Sequence, residues 1–217
     1  MSLGSQRGSF KKKSDNRKIG IMGGTFDPIH YGHLLAAEEA CFELDLEEVI
    51  FVPTGDPYHK RQRYVTSAED RYNMVLLTTI ENPDFKVSKV EIDRKEPSHT
   101  VDTLKEMRHW YAPEEVFFYF ITGLDAFLDM PKWKEYRSIF ELCKIVAVSR
   151  PGYTSHKLVD LPTQVQKSVI PLEIPLLSIS STEIRNRVRK QKNIRYLVPP
   201  LVEKYISKKK LYSANGR

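Results

Sequence analysis

Short apolar runs alternate with longer stretches of helical periodicity along this chain, the pattern of parallel βαβ units. Residues 18–22 read as a buried strand, followed by a loop containing glycine and proline that runs to Tyr31. From 32 to 44 the spacing predicts a helix, with Leu34, Ala37, Cys41 and Leu44 on one face. Residues 49–52 form a second apolar run, cut by Pro53, and 54–66 is a polar loop. Ser67 stands where it can cap a helix through about Glu81, turning Met74, Leu77 and Ile80 inward. Residues 85–92 alternate like a strand, and 100–110 look helical, with Leu104 and Met107 on one face. The run 116–121 is continuous in β-branched and aromatic residues, as a strand buried on both faces requires. Residues 145–148 make another strand, stopped by Arg150-Pro151-Gly152. A helix over 162–168, a short strand over 169–172 and two helices separated at Pro199-Pro200 follow, the last ending near Lys210. Five or six strands alternating with helices predict a single α/β domain over 17–210, a doubly wound parallel sheet with helices on both faces. In such sheets ligands bind beyond the carboxyl ends of the strands.

The length of 217 residues suits one such domain, and 41% hydrophobic with 29% charged residues describes a globular chain, not a disordered or disulfide-stapled one. The formal charge of +6 invites a polyanionic partner, but its distribution changes the picture. Residues 1–18 carry a net +5 and 181–217 a net +9, which leaves the body between them at −8. Residues 1–16 read as a disordered basic tail and 211–217 as a C-terminal tail. Cys41 and Cys143 lie inside apolar periodic segments, where buried thiols are a better expectation than a disulfide. No apolar run approaches the eighteen or so residues of a membrane span, and no signal-peptide core follows the basic N-terminus. The expected compartment is the cytoplasm, with no membrane partner.

Candidate chemistry sits at the two ends of the domain. Gly23-Gly24-Thr25-Phe26-Asp27-Pro28-Ile29-His30-Tyr31-Gly32-His33 follows the first strand and opens a helix. Paired glycines allow a close approach of backbone to ligand, and the helix N-terminus favours anions. The string is neither a dinucleotide fingerprint nor a Walker loop. His30 and His33 can point the same way, with Gly32 leaving room for a phosphate between them. A zinc pair is the competing chemistry, but no Cys, Asp or Glu at usual spacing completes a ligand set, so no protein-held metal is expected. At the far end, Ile179-Ser180-Ser181-Thr182-Glu183-Ile184-Arg185 starts a helix. Ser180 with Glu183 fits a capping box. Hydroxyls, free N–H groups and the Arg185 guanidinium also suit a polyphosphate.

The first string resembles the H-x-G-H loop of the nucleotidyltransferase superfamily, and the second its I-S-S-T-x-I/V-R string, matched at each fixed position. Between them, Val52-Pro53 with Pro57-Tyr58-His59-Lys60 resembles the V-P-x-x-x-P-P-H-K loop of the bacterial nicotinate-nucleotide adenylyltransferase family, Tyr58 replacing the usual second proline. Ala68-x-x-Arg71-x-x-Met74, Pro97-Ser98-His99-Thr100-Val101-Asp102-Thr103-Leu104 and Phe120-Ile121-Thr122-Gly123-Leu124-Asp125 fit the same family, with His99 in place of the commoner Tyr. Trp133 and Ser149-Arg150-Pro151-Gly152-Tyr153 complete a resemblance that spans 18 to about 207.

That resemblance implies a Rossmann-like fold and an enzyme that joins nicotinate mononucleotide to ATP, giving deamido-NAD and pyrophosphate in NAD biosynthesis. It implies ATP contacts at Gly23, Gly24, Thr25, Phe26, His30, His33, Ser180, Ser181, Thr182 and Arg185, with His30, His33 and Arg185 catalytic. On the mononucleotide it implies Lys60 and Arg150, Thr100 toward the nicotinate carboxylate, Asp125 toward a ribose hydroxyl and Trp133 as a stacking platform. Trp133 is also readable as a half-buried surface aromatic, and Thr100 and Asp125 as helix caps. Mg²⁺ would arrive mainly on ATP phosphates. A homo-oligomer stays open. The rival enzyme is phosphopantetheine adenylyltransferase, which shares both end strings but is shorter and lacks equivalents of 97–104 and the Trp133 region. The non-enzyme rival is a nucleic-acid-binding protein using the basic termini. Without interleaved aromatics those termini are weak support for it, and no nucleic-acid partner is expected.

Overall fold

The computed structural model describes residues 17–56, 65–112, 115–149 and 163–213. Six parallel strands run through it: β1 (Arg17–Gly24), β2 (Glu48–Pro53), β3 (Phe85–Val87), β4 (Val116–Gly123), β5 (Lys144–Ser149) and β6 (Val169–Glu173). Their order across the sheet is β3-β2-β1-β4-β5-β6. The expected doubly wound sheet is therefore present with six strands. Period-two alternation sends successive side chains to opposite faces. Met22, Phe51, Tyr119, Ile121 and Val146 pack on one face, and Ile19, Ile21, Ile50, Val52, Phe118, Phe120 and Ile145 on the other.

Helices cover both faces, as two-sided burial demands. On the first lie α1 (Tyr31–Glu43) and α2 (Ala68–Thr79), joined late in the chain by Ile184, Val202 and Ile206. On the second lie α3 (Thr100–Tyr111), α4 (Leu124–Leu128), α5 (Tyr136–Leu142) and α6 (Thr163–Lys167). The late residues belong to α7 (Ser181–Arg189) and α8 (Pro200–Lys208). Cys41 and Cys143 are buried free thiols in the cores on opposite sides of the sheet.

Several elements differ from the pattern's expectation. The strand expected over 85–92 pairs only through Phe85–Val87, against Val49–Phe51 at the sheet edge. Ser88 then ends the ladder, its hydroxyl accepting from the N–H of Val90. The last two helices are separated by residues 190–199, a longer break than the two prolines imply, and Pro200 opens α8 at a position where its missing N–H is harmless. Residues 124–142, without a predicted element, hold α4, a 3₁₀ turn over Met130–Lys132 and α5. The expected 1–16 tail and the segments around Lys60 and Arg150 lie outside the described residues.

The strand order reverses between β1 and β4. The chain runs outward from β1 to β3 and returns beside β1 as β4. The loops leaving β1 and β4 therefore diverge and open a crevice at their carboxyl ends.

Candidate active site

Two cavities occupy that crevice. One, of about 230 Å³, is walled by Gly23, Thr25, Glu91, Ser98, Thr100 and Trp133. The other, of about 330 Å³, is walled by His30, His33, Ser149, Leu177 and Ile179. They share Gly23 from β1, Thr122 from β4 and Ala126 from α4. A two-part ligand can thus lie across the sheet's switch point with its junction over β1.

The loop after β1 is built around absent side chains. A Cβ on Gly24 would stand 3.0 Å from the Phe26 ring, and one on Gly23 would stand 3.3 Å from the ring of Phe120. Phe26, at φ 48°, turns its ring into the core, edge-on to His33 and Phe51 at 5.1 and 5.8 Å. Any contact it makes with a ligand must come from its main chain.

His30 is the N-cap of α1, and its backbone N–H donates to Nδ1 of His33 at 3.3 Å. This makes Nδ1 of His33 the acceptor and places the ring proton on Nε2. The two rings stack at 3.8 Å with 24° between their planes. Gly32 lines the larger cavity, and a Cβ there would sit 3.1 Å from Cε1 and Nδ1 of His30, so the glycine makes room for an imidazole. His30 is buried, its Nδ1 has no hydrogen-bond partner among the described residues, and burial pushes its pKa down to about 4. A neutral imidazole held this way donates hydrogen bonds without carrying a charge of its own.

The far string closes onto the same loop. Ser180 caps α7, its hydroxyl accepting from the N–H of Glu183 at 3.2 Å, which is the serine half of the expected capping box, while the Glu183 carboxylate lies 3.8 Å from Arg187. Ser181 donates to the carbonyl of Pro28 at 2.8 Å. Arg185 donates to the carbonyl of Asp27 at 2.6 Å and to the hydroxyl of Thr182 at 3.2 Å. The N-termini of α1 and α7 are thereby stitched side by side, although 158 residues separate Asp27 from Arg185. Two helix dipoles and a guanidinium then favour an anion there.

On the other side, Thr100 opens α3 and presents that helix's first turn to the smaller cavity. Trp133 follows the 3₁₀ turn and stands perpendicular to Phe120 at 6.2 Å, half-buried with part of its ring at the cavity wall. Asp125 is an exposed residue in the first turn of α4, beside Ala126. The structure thus gathers the first loop, Thr100 and Trp133 at one crevice, with the Ser180–Arg185 string closing on that loop. Lys60 and Arg150 lie outside the described residues.

Sequence reasoning assigned no role to three further groups. Arg71, on α2, is fully buried. Glu91 is a buried carboxyl in the smaller cavity wall whose pKa is raised by burial, against the pull of hydrogen bonds from Thr103 and Ser98. Tyr212, which the pattern puts in the C-terminal tail, is buried and donates its phenol to the buried Asp27 carboxylate at 2.8 Å. One signal for Arg71 exists in the sequence: Arg71, Met74, Val75 and Thr78 share a helical stripe, and all four are buried. Asp27, with its carboxylate committed to Tyr212 and the N–H of Thr66, is no ready metal ligand. Among the described residues no group of three His, Cys, Asp or Glu side chains could hold a metal ion.

Known proteins resemble this chain in sequence and fold. Residues 21–187 match a family model described as cytidylyltransferase-like. A Moorella thermoacetica protein named "Probable nicotinate-nucleotide adenylyltransferase" is 50% identical over 199 residues, covering 90% of this chain and 91% of its own. A Desulfitobacterium hafniense protein of the same name is 48% identical over 200 residues, covering 90% and 96%. The solved structure of Plasmodium falciparum nicotinic acid mononucleotide adenylyltransferase complexed with NaAD aligns at a TM-score of 0.72 and 24% identity, over 90% of this chain and 97% of that one, a likeness of fold. The chain belongs to the cytidylyltransferase-like family and, within it, to the nicotinate-nucleotide adenylyltransferases.

Proposed function

We infer that this protein transfers the adenylyl group of ATP to nicotinate mononucleotide, forming deamido-NAD and releasing pyrophosphate in NAD biosynthesis. The observation that carries the chemistry is the junction of two cavities at Gly23, beside the stacked histidines. The mononucleotide occupies the Trp133 side, and ATP lies along the His30–His33 side with its triphosphate between the N-termini of α1 and α7. The mononucleotide's phosphate oxygen attacks the α-phosphorus in line, and the bond to pyrophosphate breaks. Because the nucleophile is already an anion, no general base is required. The protein's task is to offset repulsion between two anions and stabilise charge on the leaving group.

His33 through Nε2, His30, the free N–H groups of α7, the Ser181 and Thr182 hydroxyls and Arg185 are the donors for that task. In the free protein Ser181 and Arg185 rest on loop carbonyls, so ATP would exchange those contacts for phosphate oxygens. Gly24, Thr25 and Phe26 contribute main chain, and Ser180 holds the helix start. Thr100 and the first N–H groups of α3 face the nicotinate carboxylate. Asp125 takes a ribose hydroxyl, and Lys60 and Arg150 complete the mononucleotide site. Magnesium enters as part of the MgATP substrate, since the donors aimed at the site suit phosphate better than a cation. A cytoplasmic location is supported by the two buried free thiols. No helix among the described residues is long and apolar enough to cross a membrane.

The test is pyrophosphate release from ATP with nicotinate mononucleotide, nicotinamide mononucleotide or phosphopantetheine as acceptor. Turnover fastest with nicotinate mononucleotide is expected. Turnover with phosphopantetheine alone would overturn the assignment.

A further inference from the structure

Arg71 is 1% exposed, yet its guanidinium meets backbone carbonyls from three separate places in the chain. Nε donates to Thr66 at 2.9 Å, just ahead of α2. One terminal nitrogen donates to Thr25 at 2.8 Å, in the loop that carries the histidines. The other donates to Gly55 at 3.0 Å, in the loop after β2. The connection continues from Gly55. Its N–H donates to the Ser98 hydroxyl at 3.2 Å, and a Cβ there would fall 2.0 Å from the carbonyl oxygen of Glu91, so the two segments touch backbone to backbone. Glu91 in turn accepts from the Thr103 hydroxyl at 2.8 Å. Glu91, Ser98 and Thr103 all wall the smaller cavity.

A planar guanidinium has donors in a fixed fork, and a buried charge cannot exchange a lost carbonyl for water. The Thr25 and Gly55 loops are therefore held at one mutual distance by one rigid group. We propose that Arg71 is a positioning residue that couples the two half-sites, so that filling the mononucleotide cavity organises the ATP loop and each substrate strengthens binding of the other. This rests on the adenylyltransfer assignment for what fills each cavity. Arg71 touches neither substrate. It acts through the carbonyls of Thr25 and Gly55, and a lysine, with one point charge in place of the fork, cannot hold both.

The experiment measures the dissociation constant of a non-reacting ATP analogue, α,β-methylene-ATP, with and without saturating nicotinate mononucleotide. The wild type should bind the analogue at least about fivefold more tightly when the mononucleotide is present, the lower end of ordinary coupling. Arg71→Lys should reduce that factor to less than about twofold, while binding each ligand alone within roughly threefold of the wild type. A merely structural arginine would weaken both ligands and lower Tm without changing their ratio. Ser98→Ala severs the same connection at its far end and should also lower the coupling factor, which keeps the test decisive if Arg71→Lys does not fold. Wild-type coupling retained in both variants, or a wild type that turns over both substrates without coupling, overturns the proposal. A wild type that releases no pyrophosphate from this substrate pair overturns the functional assignment instead.

Discussion

The buried imidazole of His30 makes stability depend on pH in a way that one substitution can isolate. Its pKa falls from 6.5 to about 4 because burial penalises the imidazolium. In the unfolded chain the same ring titrates near 6.5, so between those values the unfolded state binds more protons than the folded one. Stability from this group is fully present above pH 6.5 and is lost as pH falls toward 4. Integrating the shift between pH 7 and pH 4.5 gives about 2–3 kcal/mol, and with 6% exposure little of it is lost to screening. Urea unfolding of the wild type and His30→Asn at pH 7 and 4.5 reads this directly. Protonating carboxylates destabilises both proteins, so only the difference between them belongs to His30. The wild type should lose about 2–3 kcal/mol more than the variant, a midpoint difference of roughly one molar in urea. Equal losses in the two proteins would show that the ring reaches water as readily as an exposed histidine, and the account of the neutral buried donor would fail with it.

His33→Ala should lower kcat roughly a hundredfold by removing a phosphate donor, while loss of its contact with the His30 N–H destabilises the fold by only about 1 kcal/mol; near-normal kcat would remove His33 from the mechanism. Gly32→Ala puts a methyl 3.1 Å from the His30 ring, which must give by a few tenths of an ångström, so kcat should fall while Tm changes little, and unchanged kcat would contradict the steric role. Trp133→Ala should raise KM for the mononucleotide roughly tenfold through lost stacking and leave KM for ATP within about twofold; equal changes in both would make the residue a packing element. Tyr212→Phe strips the Asp27 carboxylate of a 2.8 Å donor in a buried setting, and an unfolding free energy lower by about 1–3 kcal/mol is expected. An unchanged value would mean that the phenol is not holding the loop.

Strands β1, β4 and β5 were legible because apolar and β-branched runs bounded by breakers have few alternative explanations. Residues 124–142 were not, since two helices of five and seven residues around a 3₁₀ turn are too short to show a period. The edge strand was overestimated at 85–92 because alternation continues past Val87, whereas pairing depends on how far β2 extends beside it. The histidine pair, the Ser180–Arg185 string and Trp133 could be picked out because their residue types are informative at short range. Arg71 stood in a matched string, but its role could not be read, because an arginine in an amphipathic helix ordinarily faces water and its three carbonyl partners come from segments no local window contains. Gly32 was located, but the His30 imidazole as the neighbour crowding its missing side chain was not foreseen. The sequence marks where a side chain is missing and is silent on which neighbour fills the space.

The bond between Tyr212 and Asp27 also sets the order in which the loop after β1 can gain its supports: it spans 185 residues, so the loop is made long before the phenol that holds it. Until then the loop lacks Ser181, Arg185 and the phenol, and a nascent or prematurely terminated chain has the histidines without the groups that steady them. A chain cut before α7 would keep both imidazoles and lose the Ser181 and Arg185 contacts to Pro28 and Asp27, so the shape of the histidine loop belongs to the assembled domain and not to the loop's own sequence.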